Sequence, residues 1–233
     1  MAIGMRRLLA LGARTDAVEL LDSGRLSPSE VEANLADLAR LNRLPGGTRA
    51  SLRAIERLVG DGNGARILDV GTGSGDMPIA FARRGWQVVA VDVNVDVLAV
   101  ARARLAGQPS IELIEADALA LPLDDGAVDV VHCSLLLHHL EPEDAVRALR
   151  EMRRVGRRGV VVNDLRRGLV PLAATWVSVM AFGRSTVTRA DGMVSARRAY
   201  TCRELDELLA EAGLRPAWRS AGWMPRVVTA TTS

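Results

Sequence analysis

From residue 28 onward the apolar positions keep a helical interval. Val31, Leu35, Leu38, Leu41 and Leu44 fall on one face, and Leu52, Ile55, Leu58 and Val59 on another. Two amphipathic helices are expected, parted by Pro45-Gly46-Gly47 and stopped by the glycine-rich stretch 60–64. Ser27-Pro28-Ser29-Glu30 opens the first with a capping box: a serine N-cap, a proline at the first helical position and a glutamate three after the cap. At Arg66 the pattern changes to short β-branched runs, 67–70, 88–91, 111–114, 128–132 and 160–162, separated by helical stretches. Alternation of this kind predicts parallel strands joined by right-handed crossovers, a doubly wound α/β sheet. An apolar segment, 168–183, follows the fifth run, and then an irregular piece through Ala190-Asp191-Gly192. A second capping box, Thr201-Cys202-Arg203-Glu204, starts a helix through Leu205, Leu208 and Leu209 to Gly213. The tail 214–232, split near 222–225, reads as a closing strand pair. Residues 1–64 are assigned as an N-terminal helical arm covering the substrate, and 65–233 as the main domain, with a lid insertion at about 166–200.

Composition narrows the chemistry. The chain has 233 residues, 48% hydrophobic and 25% charged, a globular balance with enough apolar mass for a full core. None of its 30 basic residues is lysine, so Schiff-base lysines, P-loop lysines and Tyr-x-x-x-Lys hydride-transfer pairs are excluded. Two cysteines, Cys133 and Cys202, cannot frame a chain of this length with disulfides, and the expected compartment is the cytoplasm. The apolar stretch that follows Arg6-Arg7 ends after six residues, too short for a signal-peptide core, and 168–183 contains Pro171 and is too short for a membrane span.

The strongest local signal is Leu68-Asp69-Val70-Gly71-Thr72-Gly73-Ser74-Gly75-Asp76, immediately after the first strand run. Glycines at 71, 73 and 75 allow positive φ and close backbone approach, and the next helix offers free N–H groups. A dinucleotide fingerprint needs G-x-G-x-x-G, and Asp76 would face its pyrophosphate. Acids at 69 and 76 suit a ligand bearing an ammonium and a sulfonium, which describes S-adenosylmethionine. Asp92 ends the second strand run, where an acid can accept from both ribose hydroxyls, and Asp117 follows the third, placed for an adenine amino group.

With these motifs the chain, from about Ala65 to Val162, resembles class I S-adenosylmethionine-dependent methyltransferases of the small-molecule branch that includes ubiquinone and menaquinone biosynthesis enzymes. The arm and the stretch RRAYTCRELDELLAEAGL are also similar to methyltransferases found beside type III polyketide synthases. The resemblance implies a Rossmann-like seven-stranded, mostly parallel sheet with its last strand antiparallel. It implies that Asp69 meets the methionine amino group, that Gly71, Gly73 and Gly75 form the cofactor loop, that Asp92 and Val93 hold the ribose, that Asp117 and Ala118 read adenine, and that Cys133, Ser134 and Leu135 line the methionine side. Metal-dependent catechol methyltransferases carry acids at the ends of strands four and five. Strand four here ends in His132-Cys133-Ser134, so no metal is expected.

Three histidines remain, His132, His138 and His139. As a metal set they lack an acid at ligand spacing, and the adjacent pair is expected to point apart. His138 or His139, just past strand four, is a candidate general base, as is Asp164 at the end of strand five; the residues do not choose among them. Six arginines lie between Arg147 and Arg158 without interleaved aromatics, which reads as a solvated helix face and not as a nucleic-acid surface. Leu169–Phe182, with Trp176, Met180 and Phe182, is too apolar to stand free in water: it roofs a pocket, packs on the arm, or meets a second copy in a homodimer. The expected activity is methyl transfer to a small lipophilic or aromatic acceptor, foremost O-methylation, with N- or C-methylation and a catalytically silent binding protein as alternatives.

Overall fold

A computed structural model describes residues 13–44, 46–60, 62, 64–220 and 225–232. The apolar stretch before Ala13 and nearly all of the tail's split lie outside them.

The sheet has seven strands, β1 (Arg66–Val70), β2 (Gln87–Asp92), β3 (Ile111–Glu115), β4 (Val128–Ser134), β5 (Gly156–Leu165), β6 (Arg215–Arg219) and β7 (Arg226–Thr232), in the order β3-β2-β1-β4-β5-β7-β6. All neighbours from β3 to β5 run parallel, and β7 enters antiparallel between β5 and β6. The chain reverses its direction of winding between β1 and β4, so the carboxyl edge of the sheet opens a crevice there, where such sheets bind ligands. The closing strand pair is as expected. β5 is longer than its apolar run because β7 pairs with it as far as Leu165. Gly159 makes the approach possible: at φ 149° a Cβ on it would sit 1.9 Å from the Thr231 carbonyl oxygen.

Helices α1 (Pro28–Leu41) and α2 (Thr48–Val59) precede the sheet. The others are α3 (Asp76–Ala82), α4 (Val95–Leu105), α5 (Pro142–Val155), α6 (Leu169–Phe182), α7 (Thr186–Arg198) and α8 (Cys202–Glu211). Both capping boxes form. Ser27 accepts from the Glu30 N–H while Glu30 accepts from the Ser27 N–H, and Thr201 and Glu204 do the same. One sheet face buries Leu68, Val131, Val160, Leu149, Met152 and Leu209 under α5 and α8. The other buries Ile67, Val88, Val161, Ile55 and Phe81 under α2 and α3. A small third cluster, Val31, Leu35 and Val97, ties α1 to α4 above the carboxyl edge.

The piece through Ala190-Asp191-Gly192 is helical, not irregular. Gly192 lies where α7 crosses α6, and a Cβ there would come within 2.7 Å of Val179 Cγ1. Asp191 faces the arm and accepts from the Leu20 and Leu21 N–H groups. Asp-Gly here serves close helix packing, whereas in isolation it signals a turn. Among the described residues, no helix is long and apolar enough to cross a membrane.

Candidate functional site

The loop between β1 and α3 forms because three of its residues are glycine. Gly71, Gly73 and Gly75 have φ of 68°, 56° and 76°, a region that costs other residues strain. A Cβ on Gly71 would also meet Leu136 at 3.0 Å. Two bonds pin the loop to the neighbouring strand: the Thr72 N–H donates to Val91 O (2.9 Å) and the Gly73 N–H to Asp92 Oδ2 (3.0 Å). Asp92 Oδ1 accepts from the Asn94 N–H at 3.0 Å. Burial holds the Asp92 carboxyl above the ordinary carboxylate range, against the pull of the backbone donors at Asn94, Gly73 and Val93. Above this loop is a cavity of about 420 Å³, lined among others by Asp69, Gly71, Gly73, Asp76, Asp92, Val93 and Ser134. Ser134 Oγ is buried without a hydrogen-bond partner, as is expected of a group whose partner is a ligand.

Asp69 is more committed than its sequence position suggests. Its Oδ1 lies 2.6 Å from His132 Nδ1, and its Oδ2 accepts from the Thr72 hydroxyl at 2.8 Å. His132, fully buried, continues the chain: Nε2 lies 2.9 Å from Ser51 Oγ, which accepts from Asn163 Nδ2 at 2.8 Å. One assignment of hydrogens serves every link of the chain, with Asn163 donating to Ser51, Ser51 to Nε2, and Nδ1–H to Asp69, while Asn163 Oδ1 is buried without a partner. The chain links α2, β4 and β5 to the end of β1.

His138 and His139 do not point apart. They sit in a short 3₁₀ turn, Leu137–His139, with ring centroids 4.3 Å apart and planes at 33°. An acid absent from their sequence neighbourhood joins them: the arm carries the buried Glu19 to 3.6 Å from His138 Nε2 and 3.9 Å from His139 Nε2. The outer ring nitrogens are held by carboxylates, His138 Nδ1 by Asp164 Oδ1 (2.6 Å) and His139 Nδ1 by Asp22 Oδ2 (2.7 Å). Burial raises Asp164, yet the His138 charge and hydrogen bond, with the Leu165 N–H, bring it below the usual range. For His139, burial works against the charged form, but the Asp22 hydrogen bond and the charges of Glu19, Asp22 and Asp164 push its pKa up to about 9.

This cluster forms the polar end of a second, largely apolar cavity of about 120 Å³, floored by Leu135 and Leu165 and walled by Leu38, Leu41 and Val179. That is the scale of a ~150 Å³ cavity that takes one aromatic ring. Asn34 Oδ1 and Arg226 Nη1 are buried there without partners, one able to accept a hydrogen bond and the other to donate one. Leu135 and His139 line both cavities. Leu135 has φ 56°, the single positive φ outside glycine among the described residues, strain that marks the junction of the two spaces. Helix α6 contributes Thr175, Ser178 and Val179 to the lining; its Trp176, Met180 and Phe182 face outward and are largely exposed.

The predicted site residues thus divide. Asp69, Gly71, Gly73, Asp92, Val93 and Ser134 line one cavity, His138 the other, and His139 both. Asp164 lies behind His138, on its Nδ1. Gly75 shapes the loop: a Cβ there would be 2.9 Å from Leu105. Asp117 and Ala118 are not brought into either cavity: Asp117 is exposed, and its carboxylate accepts from the Leu119 N–H two residues on. Glu19, Asp22 and Asn42, whose Nδ2 donates to Asp76 at 3.0 Å, were missed because nothing near them in sequence repeats or spaces as a motif. Five arginines of α5 and its exit are paired with acids, Arg147 with Asp144, Arg150 with Glu211, Arg154 with Glu151, and Arg157 and Arg158 with Asp129, while Arg153 donates to the Ala212 carbonyl.

Comparison with known proteins agrees with this geometry. Residues 67–159 match the model of a methyltransferase domain. The chain is 38% identical over 124 residues to demethylmenaquinone methyltransferase of Clavibacter sepedonicus, covering 53% of this chain and 49% of that protein. It is 33% identical over 127 residues to a ubiquinone/menaquinone biosynthesis C-methyltransferase of Hahella chejuensis, covering 51% and 50%. The chain therefore spans about half the length of the curated relatives it matches. Among solved structures, a SAM-dependent methyltransferase from Aquifex aeolicus superposes with a TM-score of 0.61 at 19% identity, over 90% of this chain and 100% of that one. A TehB-like SAM-dependent methyltransferase from Corynebacterium glutamicum gives 0.61 at 17%, over 89% and 100%. At such identity the structures speak for the fold.

Proposed function

We propose, from the match of residues 67–159 to the model of a methyltransferase domain, that the protein is a class I S-adenosylmethionine-dependent methyltransferase and moves the sulfonium methyl to a small, lipophilic, hydroxyl-bearing acceptor. The observation that carries this reading is the meeting of a glycine-looped cavity and an apolar cavity at Leu135 and His139. The cofactor would lie along Gly71, Gly73 and Val93 with its ribose on Asp92, and the acceptor under α1, α6 and α7, the arm and lid. Transfer is an in-line displacement: oxygen or carbon of the acceptor bonds to the methyl carbon as its bond to sulfur breaks. Most of the acceleration comes from holding the three atoms in line in a space without water. The acceptor's proton leaves at the polar end, where His138 Nε2 faces the cavity and Asp164 fixes the ring.

Two products are compatible with that proton loss. A phenolate methylated on oxygen gives an ether; one methylated on its ortho carbon gives a dienone whose ring proton then leaves that carbon as the oxygen is reprotonated, yielding the C-methyl phenol, a reading favoured by the quinone-biosynthesis C-methyltransferases among the relatives. Incubation with phenols, alkyl resorcinols and quinols, followed by NMR of the products, separates them; no methylated product from any acceptor removes the activity.

The cofactor half is tested by calorimetry. S-adenosylhomocysteine is expected to bind without competition from NAD, and Asp92→Ala to weaken it by about 1–3 kcal/mol, the scale of a lost charged acceptor. Tighter binding of NAD defeats the assignment.

A further inference from the structure

We propose that Glu19, His138 and His139 form a binding site for one divalent first-row transition ion at the polar end of the acceptor cavity. One donor atom from each residue lies within 4.8 Å of the other two. His138 Nε2 and Glu19 are 3.6 Å apart, and His139 Nε2 and Glu19 are 3.9 Å apart. Around a tetrahedral ion with bonds of about 2.1 Å, donors stand about 3.4 Å from each other; the two His–Glu19 distances, each to its own carboxylate oxygen, exceed that by a few tenths of an ångström.

The surroundings of the donors also suit an ion. Metal-bound imidazoles characteristically give their other ring nitrogen to a carboxylate, which fixes the ring and raises its basicity. Both imidazoles here do so, His138 through Asp164 and His139 through Asp22, at 2.6 and 2.7 Å. The carboxylate is also anchored: Glu19 Oε1, the oxygen nearer His138 Nε2, accepts from the Ser195 hydroxyl at 2.7 Å. The outer nitrogen of each imidazole has a carboxylate partner, while the two Nε2 atoms make no hydrogen bond and face Glu19 and the cavity. Two imidazoles and one carboxylate suit zinc, cobalt or iron, and poorly suit magnesium or calcium, which prefer oxygen. Three protein donors leave a fourth position toward the cavity, the arrangement of a catalytic and not a structural site.

The role of the ion rests on the methyl-transfer reading, although the site itself does not. An ion held there would acidify an acceptor hydroxyl in the fourth position, so that its O–H bond would break with the proton lost to solvent and the oxygen, or a ring carbon conjugated with it, would become the nucleophile. The ion then does for the acceptor what His138 Nε2 does without it.

The test is a titration of the chelator-treated, full-length protein with Co²⁺, followed by its visible absorption, and with Zn²⁺ by calorimetry. One ion per chain is expected. Glu19→Gln, nearly isosteric, should weaken binding at least tenfold, and Asp22→Asn by about 10- to 100-fold through the His139 ring. S-adenosylhomocysteine binding, measured on the same samples, reports folding and the cofactor half independently. Cobalt binding that is absent from the wild type, or unchanged in both variants while S-adenosylhomocysteine still binds, overturns the site. Loss of S-adenosylhomocysteine binding in the wild type overturns the methyltransferase reading instead and leaves the metal result standing.

Discussion

His138→Ala is expected to lower turnover of a phenolic acceptor by about 10²- to 10⁴-fold, the range of general-base catalysis, and to leave S-adenosylhomocysteine affinity unchanged. A phenol with a pKa near 10 is mostly protonated at neutral pH, so the group that receives its proton governs the chemical step. Geometry favours His138 over its neighbours. Its ring is buried and locked from behind by Asp164, which also accepts from the His138 and Leu165 backbone N–H groups. Asp164 points away from the cavity, so Asp164→Ala should cost less than His138→Ala by loosening the ring. His139 already has its Nδ1 on Asp22 and lies where the cavities join, so His139→Ala should raise the acceptor KM as well as lower kcat. Steady-state rates for the three variants, beside calorimetry with S-adenosylhomocysteine, give the comparison. If none of them slows by tenfold while the cofactor product still binds, side chains of this cluster do not carry the proton, and alignment alone sustains the reaction.

The glycine loop and the cavity above it were legible because their determinants are contiguous. A strand, a glycine loop and the next helix follow one another within 69–76, and Asp92 stands at the end of the adjacent strand, so chain order and spatial order coincide. Asp117 shows where that logic stops: the end of β3 lies on the correct edge, but an Asp two residues before a free N–H turns back onto its own loop. The acceptor half was legible only in outline. Helical periodicity gave α1 and α2 and unbroken apolarity gave α6, yet neither could say that α6 turns Val179 inward and Trp176 outward, because that segment is apolar on every side. Nor does any pattern announce Glu19 or Asp22. Their role exists through contacts between residues more than a hundred positions apart, with the arm fastened by Asp191 and Arg198, and Asp191-Gly192 in sequence looks like a turn.

The buried chain Asn163–Ser51–His132–Asp69 ties stability to cofactor binding, and His132→Leu is expected to expose that coupling. Leucine fills the volume but offers no donor to Asp69 Oδ1, leaving a carboxylate oxygen in a site that excludes water, and Ser51 loses the acceptor of its hydroxyl. Removing one partner of a buried pair costs about 3–5 kcal/mol, whereas replacing both can be close to neutral. The double variant Asp69→Asn with His132→Leu should therefore recover much of the loss, since an amide is less costly to leave short of a partner than a carboxylate. Urea unfolding of the wild type, the two single variants and the double closes the cycle, with an interaction energy of 0.5–3 kcal/mol expected for groups in contact. S-adenosylhomocysteine affinity should not recover with stability. Asp69 lies at the end of β1 against the cavity, and without its carboxylate the ligand's ammonium has lost its counter-charge whether or not the core is repaired. Strict additivity of the two changes would mean that His132 and Asp69 merely sit side by side. Recovery of binding in the double variant would mean that Asp69 shapes the loop, through its bond from Thr72, and does not itself meet the ligand.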